Sequence, residues 1–543
     1  MPDAAPDPWA DRDELAAAAA SCRAARERLL TPLAARLDAL HGTSLGARYW
    51  RIVLGPWLLY HLQQLEDRRR RVEAGLRTSS PPDCLAAKDF AAPRDTDEYH
   101  DLFQTDRYRL QLAALVLRHL GARGNETPAP PPERPAAPRP GARALLRSAR
   151  AAASAAARHL LRADFLSDGL YPLGARHEEL AKALDFRLWP ILDAFPEALR
   201  AAAVLDARRR SLSELAVEGG LERLAVSTLP ESLPAIFLEG FAPARERARR
   251  ALGRPPRVMV HSSGIHYRDF YKFCAAEALA DGARLVGFQH GGYYGTALWS
   301  NAEWHERSIC DLYLTWGWDD GKRACPVPVP GLSAPPRRAP TRAGILYVST
   351  SGLKTPHELS ALPLGVQWLE FFAWRGRFFE SLGNAGRDAA RVRLYPADYG
   401  WNEKGEIAAR WPQLRLDDGA RPLARSLESA ALVVTDHPGT TFLETIAWGI
   451  PGVHFWDPRL WEMRPAAALE PLRRAGVVHA DPESAARKAL EVRADPDAWW
   501  NSPEVRAARE GFAESYARAD PAWASVWAAI LRRELELAGS GIL

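Results

Sequence analysis

The chain has 543 residues, and its 71 lysines and arginines nearly balance 67 aspartates and glutamates, leaving a formal charge of +4 over a length sufficient for about three or four domains. That balance excludes a strong global field recruiting nucleic acid or an anionic membrane. Five scattered cysteines without a CxxC pair encode neither a disulfide framework nor a zinc site, and no run approaches the roughly 18 apolar residues of a membrane span.

The N-terminal residues lack the basic start and apolar core of a signal peptide. The expectation is a cytoplasmic protein whose contact with the inner face of the membrane is at most peripheral.

From 13 to 121 the pattern is helical, most clearly at Tyr49, Ile52, Val53, Pro56, Trp57 and Tyr60, spaced i, i+3, i+4, i+7, i+8 and i+11. Pro56 within that stripe predicts a kink or a break between two helices. The run Arg68, Arg69, Arg70, Arg71 has no interleaved aromatics and follows Glu66 and Asp67, so it reads as a solvated helix face rather than a nucleic-acid contact. Seven of the thirteen residues 128–140 are proline, which predicts an extended linker, and six prolines in 326–340 predict a second.

Between and after these linkers the period changes. Residues 257–261, 284–288 and 311–315 read as strands, with a helix at 267–279. Beyond the second linker, 344–348, 392–395, 432–435 and 452–455 read as strands, with helices at 367–382, 422–429 and 441–448. Strands alternating with helices predict a parallel, doubly wound α/β sheet on each side of the second linker. The expected division is a helical region 1–125, a linker 126–144, a first Rossmann-like domain 145–325, a linker 326–342, a second Rossmann-like domain 343–485, and C-terminal helices 486–543.

Ligands of open α/β sheets lie beyond the C-terminal strand ends, so the loops after strands carry the candidate chemistry. One is Thr435-Asp436-His437-Pro438-Gly439-Thr440-Thr441-Phe442-Leu443-Glu444. Free N–H groups at the helix start, with the hydroxyls of Thr440 and Thr441, suit a phosphate or diphosphate. Thr441 to Glu444 also has the spacing of a capping box, in which hydroxyl and carboxylate merely satisfy the helix end. The other is Gln289-His290-Gly291-Gly292-Tyr293-Tyr294-Gly295, where glycines permit close backbone approach and His290 has a proton affinity suited to general-base work. A structural histidine in a glycine-rich turn is the alternative there.

Glu303, His305 and Glu306 downstream, and His261, His266 and Asp269 upstream, are further bases or acceptor contacts, with Glu303 and Glu239 as the carboxylates that would replace His290 as base. The loop with Ser349, Ser351 and Lys354 offers hydroxyls and a cation to a phosphate, or is a polar turn. No metal-ligand spacing, P-loop, GxSxG elbow between a strand and a helix, or GxGxxG occurs.

The Gln289-His290-Gly291-Gly292 turn with Tyr294-Gly295, then Glu303-Trp304-His305-Glu306, Asp311, Thr315-Trp316-Gly317-Trp318 and the Thr435 to Thr441 run, resemble a transferase family encoded in bacterial surface-polysaccharide gene clusters. So do Tyr49-Trp50, Leu54-Gly55-Pro56-Trp57 and Asp67-Arg68. The second half is more distantly similar to GT-B glycosyltransferases and CDP-glycerol glycerophosphotransferases. This resemblance implies a GT-B-like fold of two Rossmann-like domains facing a cleft, the first on the acceptor side and the second binding a nucleotide.

It further implies transfer of a sugar from a nucleotide-activated donor to a surface glycan or lipid-linked glycan, with His290 as base and neither metal nor other cofactor. Donor contacts would come from Ser349, Ser351, Lys354, Asp436, His437, Gly439, Thr440, Thr441 and Glu444. Acceptor contacts would come from Gln289, Gly291, Gly292, Tyr294 and His266. The chain reads QHGG where the glycerophosphotransferases carry HGT, and Tyr395-Pro396 where many relatives carry His-Pro. Polyol-phosphate transfer, nucleotide-sugar epimerisation on the same fold, and a non-catalytic role in glycan assembly are the alternatives.

Overall fold

The computed structural model describes residues 7–78, 81–130, 163–170, 173, 176–192, 194–417 and 419–539. The N-terminal third is helical: α1 (Arg12–His41), α2 (Gly46–Val53), α3 (Gly55–Gly75), α4 (Thr96–Leu102) and α5 (Asp106–His119). The break between α2 and α3 falls at Leu54, where Pro56, lacking an N–H, sits in the first turn of α3 that needs none. All six residues of the sequence stripe are buried. The arginine run is not simply solvated. Arg69 and Arg70 pair with the buried Glu66, and Arg71 with the buried Asp67, so the two acids before the run absorb its charge along the helix.

The first linker begins later than expected. Asn125–Thr127 is a strand, β2, paired in parallel with β1 (Asp83–Leu85), and residues 131–144 lie outside the described residues.

Two six-stranded sheets follow, each wholly parallel. The first runs β4-β3-β5-β6-β7-β8, from β3 (Phe165–Ser167), β4 (Leu188–Pro190), β5 (Val258–His261), β6 (Arg284–Phe288), β7 (Leu312–Thr315) and β8 (Ala324–Pro326). The second runs β11-β10-β9-β12-β13-β14, from β9 (Ile345–Val348), β10 (Ala390–Arg393), β11 (Arg415–Leu416), β12 (Leu432–Thr435), β13 (Gly452–Phe455) and β14 (Val478–His479). Central strands such as Val258-Met259-Val260 and Leu432-Val433-Val434 are buried throughout, as strands covered by helices on both faces must be.

β10 lies two residues before its expected place, so Leu394 and Tyr395 join Pro396 in the loop at its C-terminal end.

The helical region is not an independent unit. Its core is continuous with that of the first sheet, and the Tyr49 hydroxyl donates to Glu277 at 2.7 Å. Residues 326–342 are likewise no free linker. Val327, Val329 and Leu332 are buried, the Trp527 indole donates to the Pro328 carbonyl, and the Arg338 guanidinium to the Ala430 carbonyl. The final helix, Trp523–Gly539, returns to the first domain, where Trp527 meets Phe288 edge-on at 4.5 Å and Arg284 pairs with Glu534 at 2.6 Å.

Candidate functional site

A cavity of about 820 Å³ lies between the two sheets, at the C-terminal ends of both. Its first-domain wall carries His290, Tyr293, Trp316 and Arg176. Its second-domain wall carries Ser349, Arg393, Tyr395, His437, Gly439, Thr440, Thr441 and Glu444, and the segment 326–342 between the sheets contributes Val329, Leu332 and Pro336.

His290 leaves β6 on the glycine turn and meets Glu306, which the helix Asn301–Ile309 projects from behind. Glu306 is fully buried and takes four hydrogen bonds: from His266 Nε2 at 2.7 Å, His290 Nε2 at 3.0 Å, the Tyr294 hydroxyl at 2.9 Å and the Tyr313 hydroxyl at 2.7 Å. Burial alone raises a carboxyl pKa, but the two histidines outweigh it and hold Glu306 well below the carboxylate range. For His290, burial disfavours the charged ring. The charge and hydrogen bond of Glu306 outweigh that and raise its pKa.

His266, His290 and Glu306 are the group, among the described residues, whose donor atoms lie close enough together to hold a cation. Glu306 Oε1 takes the bonds from His266, His290 and Tyr294 and Oε2 the one from Tyr313, so proton sharing accounts for the geometry without a cation.

The opposite wall is the start of the helix Thr440–Trp448. Its N-cap is Gly439, with no side-chain cap bond, so the capping box does not form. The first N–H groups of a helix have no intrahelical partner, and here they open beside the cavity. His437 stands next to them. Asp436 accepts from His437 Nδ1 at 2.9 Å, from the Tyr347 hydroxyl at 2.8 Å and from Ser349 Oγ at 2.5 Å, which fixes the ring with its Nε2 edge beside Gly439. Glu444, one turn into the helix, has its carboxyl pKa pushed up to about 7 by burial.

The two glycine turns interlock. The Gly292 N–H donates to Thr440 Oγ1 at 3.3 Å, and a Cβ at Gly292 would lie 2.8 Å from the Thr440 nitrogen. Tyr293 stacks on Trp461 at 5.6 Å, and Leu298 and Thr296 exchange backbone hydrogen bonds with Glu462 and Arg464. His290 and the helix start are therefore held together by direct packing between domains.

Several sequence candidates lie elsewhere. Glu239 binds the fully buried Arg209 at 2.6 and 2.9 Å, away from the cavity, and holds a loop. Glu303 accepts from the Gly295 N–H and from Arg307, bracing the glycine turn rather than facing the cavity. Lys354 lies over the Trp401 ring at 5.0 Å, and Ser351 is buried with its hydroxyl unpartnered, so neither lines the cavity. Gln289 is a brace, donating to the Gly291 carbonyl and accepting from the Trp316 N–H and the Trp318 indole. Gly291, Tyr294 and His266 lie behind His290, not on the wall.

Arg176, Arg393 and the residues Val329, Leu332 and Pro336 of the segment 326–342 are cavity residues with no local sequence signal for a site. They belong to distant segments that only the tertiary fold joins.

Two doubly wound sheets meeting over a cavity at their C-terminal strand ends define the GT-B class of fold. Within it, the chain belongs to the LIC12162 family of transferases, whose model matches residues 2–531. Among solved structures it is similar to the glycosyltransferase SnogD from Streptomyces nogalater (TM-score 0.36, 16% identity, 69% of this chain and 98% of that one). It is similar to the spinosyn rhamnosyltransferase SpnG (TM-score 0.32, 15% identity, 68% and 99%) and to the wall teichoic acid polymerase TagF (TM-score 0.34, 9% identity, 73% and 98%). The search of curated proteins finds no match.

Proposed function

We propose that this transferase moves a sugar from a nucleotide-activated donor to a glycan or lipid-linked glycan acceptor of the bacterial surface. The observation that carries this reading is the placement, on opposite walls of one cavity, of a carboxylate-backed histidine and an open helix N-terminus. With its Nε2–H committed to Glu306, His290 takes the acceptor hydroxyl's proton on Nδ1, and Glu306 stabilises the imidazolium that results. The acceptor oxygen then bonds to the sugar carbon as the bond to the donor phosphate breaks. The departing phosphates gain negative charge beside the helix start, the Thr440 and Thr441 hydroxyls and His437, with Arg176 and Arg393 adding positive charge nearby. Glu444, the carboxyl on that wall, accepts hydroxyl hydrogen bonds from the donor.

This chemistry calls for no metal or other cofactor. Among the described residues no helix is long and apolar enough to cross a membrane. A cytoplasmic enzyme acting at the inner membrane face is the setting in which nucleotide-activated donors and lipid-linked acceptors meet.

Calorimetry with UDP, GDP, CDP and TDP, followed by turnover of the matching sugar nucleotides, tests the reading. Binding of one of these in the millimolar range or tighter, with acceptor-dependent turnover, is expected. Donor conversion without any acceptor points instead to an epimerase. No nucleotide binding and no turnover overturns the transferase assignment of this cavity.

A further inference from the structure

The contacts behind Glu306 lead away from the cavity, into the N-terminal helices, and they end on a charge. Arg26 on α1 is fully buried, and its Nη2–H donates to Nδ1 of His305, the residue before Glu306, at 2.7 Å. A Cβ at Gly55, the first residue of α3, would lie 2.5 Å from Arg26 Nη2 and 3.0 Å from His305 Cε1, so a side chain there would displace the guanidinium from the ring. His305 itself is fully buried and lines no part of the cavity, which makes it neither a base nor an acceptor contact.

Arg26 decides where the proton of His305 sits. A guanidinium has donors only, and burial, which pulls its pKa down to about 10, leaves it a cation at neutral pH. His305 must therefore accept at Nδ1. Burial, and then the Arg26 charge, hold that imidazole neutral, with its pKa well below 6.5, so its single proton is on Nε2.

His266 has the complementary requirement. Its Nε2 lies 2.7 Å from Glu306 Oε1, an acceptor, so the proton of the neutral ring faces the carboxylate and Nδ1 is left as an acceptor. The His266 and His305 rings lie 5.7 Å apart, centroid to centroid, with planes at 64°. Among the described residues, His305 Nε2 and His266 Nδ1 are both buried without a hydrogen-bond partner. A donor and an acceptor left over on neighbouring buried rings call for one bond between them.

We propose that Arg26 and His305 are positioning residues for His290: through a hydrogen bond from His305 Nε2–H to His266 Nδ1, made directly or across one buried water, they hold His266 in the tautomer that donates to Glu306. The inference rests on the reading of His290 as the base. Glu306 Oε1 is the atom on which His266 and His290 meet, at 2.7 and 3.0 Å. Were the His266 proton on Nδ1, a bare nitrogen would face that oxygen, and the carboxylate would turn off His290 to escape it. The N-terminal helices thus reach the base through Arg26, His305 and His266, none of which lines the cavity.

Long-range proton–nitrogen NMR of the imidazole rings in the full chain, with the His266 signal identified by its loss in His266→Gln, reads which nitrogen carries the proton. His266 should be the Nε2–H tautomer in the wild type and in His305→Gln, whose amide N–H keeps a donor in place, and a mixture of tautomers in His305→Leu and Arg26→Met. In those last two, kcat should fall roughly ten- to a hundredfold with nucleotide affinity unchanged, and His305→Gln should recover most of the loss. A His266 tautomer in His305→Leu identical to that of the wild type overturns the inference and leaves the transferase reading standing, as does a shifted tautomer with unchanged kcat. A wild type that turns over no donor overturns the reading of His290 as base and this role with it, whatever the tautomers do.

Discussion

His290 and Glu306 move each other's proton affinity in opposite directions, and the sign of each shift has a separate consequence. The pKa of His290 is raised, so the stability that its charged form contributes is complete below the unfolded value near 6.5 and is lost as pH rises through the folded value. The pKa of Glu306 is depressed, so its contribution is present above its unfolded value near 4.5 and is lost as pH falls through the folded one. The pair is therefore worth most between about pH 4.5 and 6.5. Glu306→Gln should lower the melting temperature most within that window, with the gap to wild type narrowing at alkaline pH. A gap independent of pH would show that the carboxylate's charge is not what His290 senses.

Activity should follow the same residue. A base must be deprotonated to work, so the acid limb of kcat/KM against pH should lie above 6.5 in the wild type. In Glu306→Gln burial faces only the weaker pull of Asp168, and the limb should move to lower pH while the maximal rate falls. His290→Ala should cost roughly 10² to 10⁴ in turnover with nucleotide affinity nearly unchanged. An unshifted limb in Glu306→Gln would remove His290 from the role of base.

Among the secondary elements, the central strands and the helices after β5, β9 and β12 were legible, because β5, β6, β7, β9, β12 and β13 are short apolar runs between glycines and polar turns, whereas the helix Asn301–Ile309 that carries Glu306 was not. The strands β3, β4, β8, β11 and β14 were not. Each has two or three residues, too few for any period to register, and each becomes a strand because a neighbour offers its hydrogen bonds. The capping-box spacing misled for a related reason. The helix starts at Thr440 behind the N-cap Gly439, so Thr441 is already inside it and cannot cap, and the start is set by the packing of Gly292 against Thr440, a contact no local window contains.

The loops His290-Gly291-Gly292 and His437 to Thr441 were readable as candidate sites because glycine beside a strand end signals close approach, but which glycine matters required the fold. A Cβ at Gly291 would meet nothing nearer than a Tyr294 ring carbon at 4.0 Å, whereas one at Gly292 would strike the Thr440 backbone. Gly291→Ala should thus leave nucleotide affinity and melting temperature close to wild type. Gly292→Ala should push the helix start away from His290, lowering both the affinity and the rate. Equal behaviour of the two variants would mean the loops do not bear on each other in solution.

Across the whole molecule, the N-terminal helices tie the two sheets together. Gln63 on α3 is buried, and its carbonyl accepts from the Leu359 N–H at 2.7 Å, on the second-domain loop, and from Asn301 Nδ2 at 3.1 Å, on the helix that carries Glu306. Arg12 on α1 donates to the Ala361 carbonyl at 2.6 Å, and Gln367 donates to the Trp9 carbonyl at 2.7 Å. With the interlocked glycine turns, these bonds hold His290 and the helix start at Thr440 at one spacing, so that in the proposed reaction little orientation has to be bought from binding.

Gln63→Ala removes an acceptor from two buried donors, a change that costs about 1 to 3 kcal/mol for each one left unpaired. The loss falls on the tie rather than on either sheet. Amide hydrogen exchange should therefore quicken at Leu359 and its neighbours in 356–364 while the β5, β6 and β12 amides keep their protection. A tie that positions the cleft should also transmit the change to turnover, lowering kcat with the intrinsic proton affinity of His290 unaltered. Exchange in 356–364 that matches wild type would mean that the helices sit against the cleft without holding it.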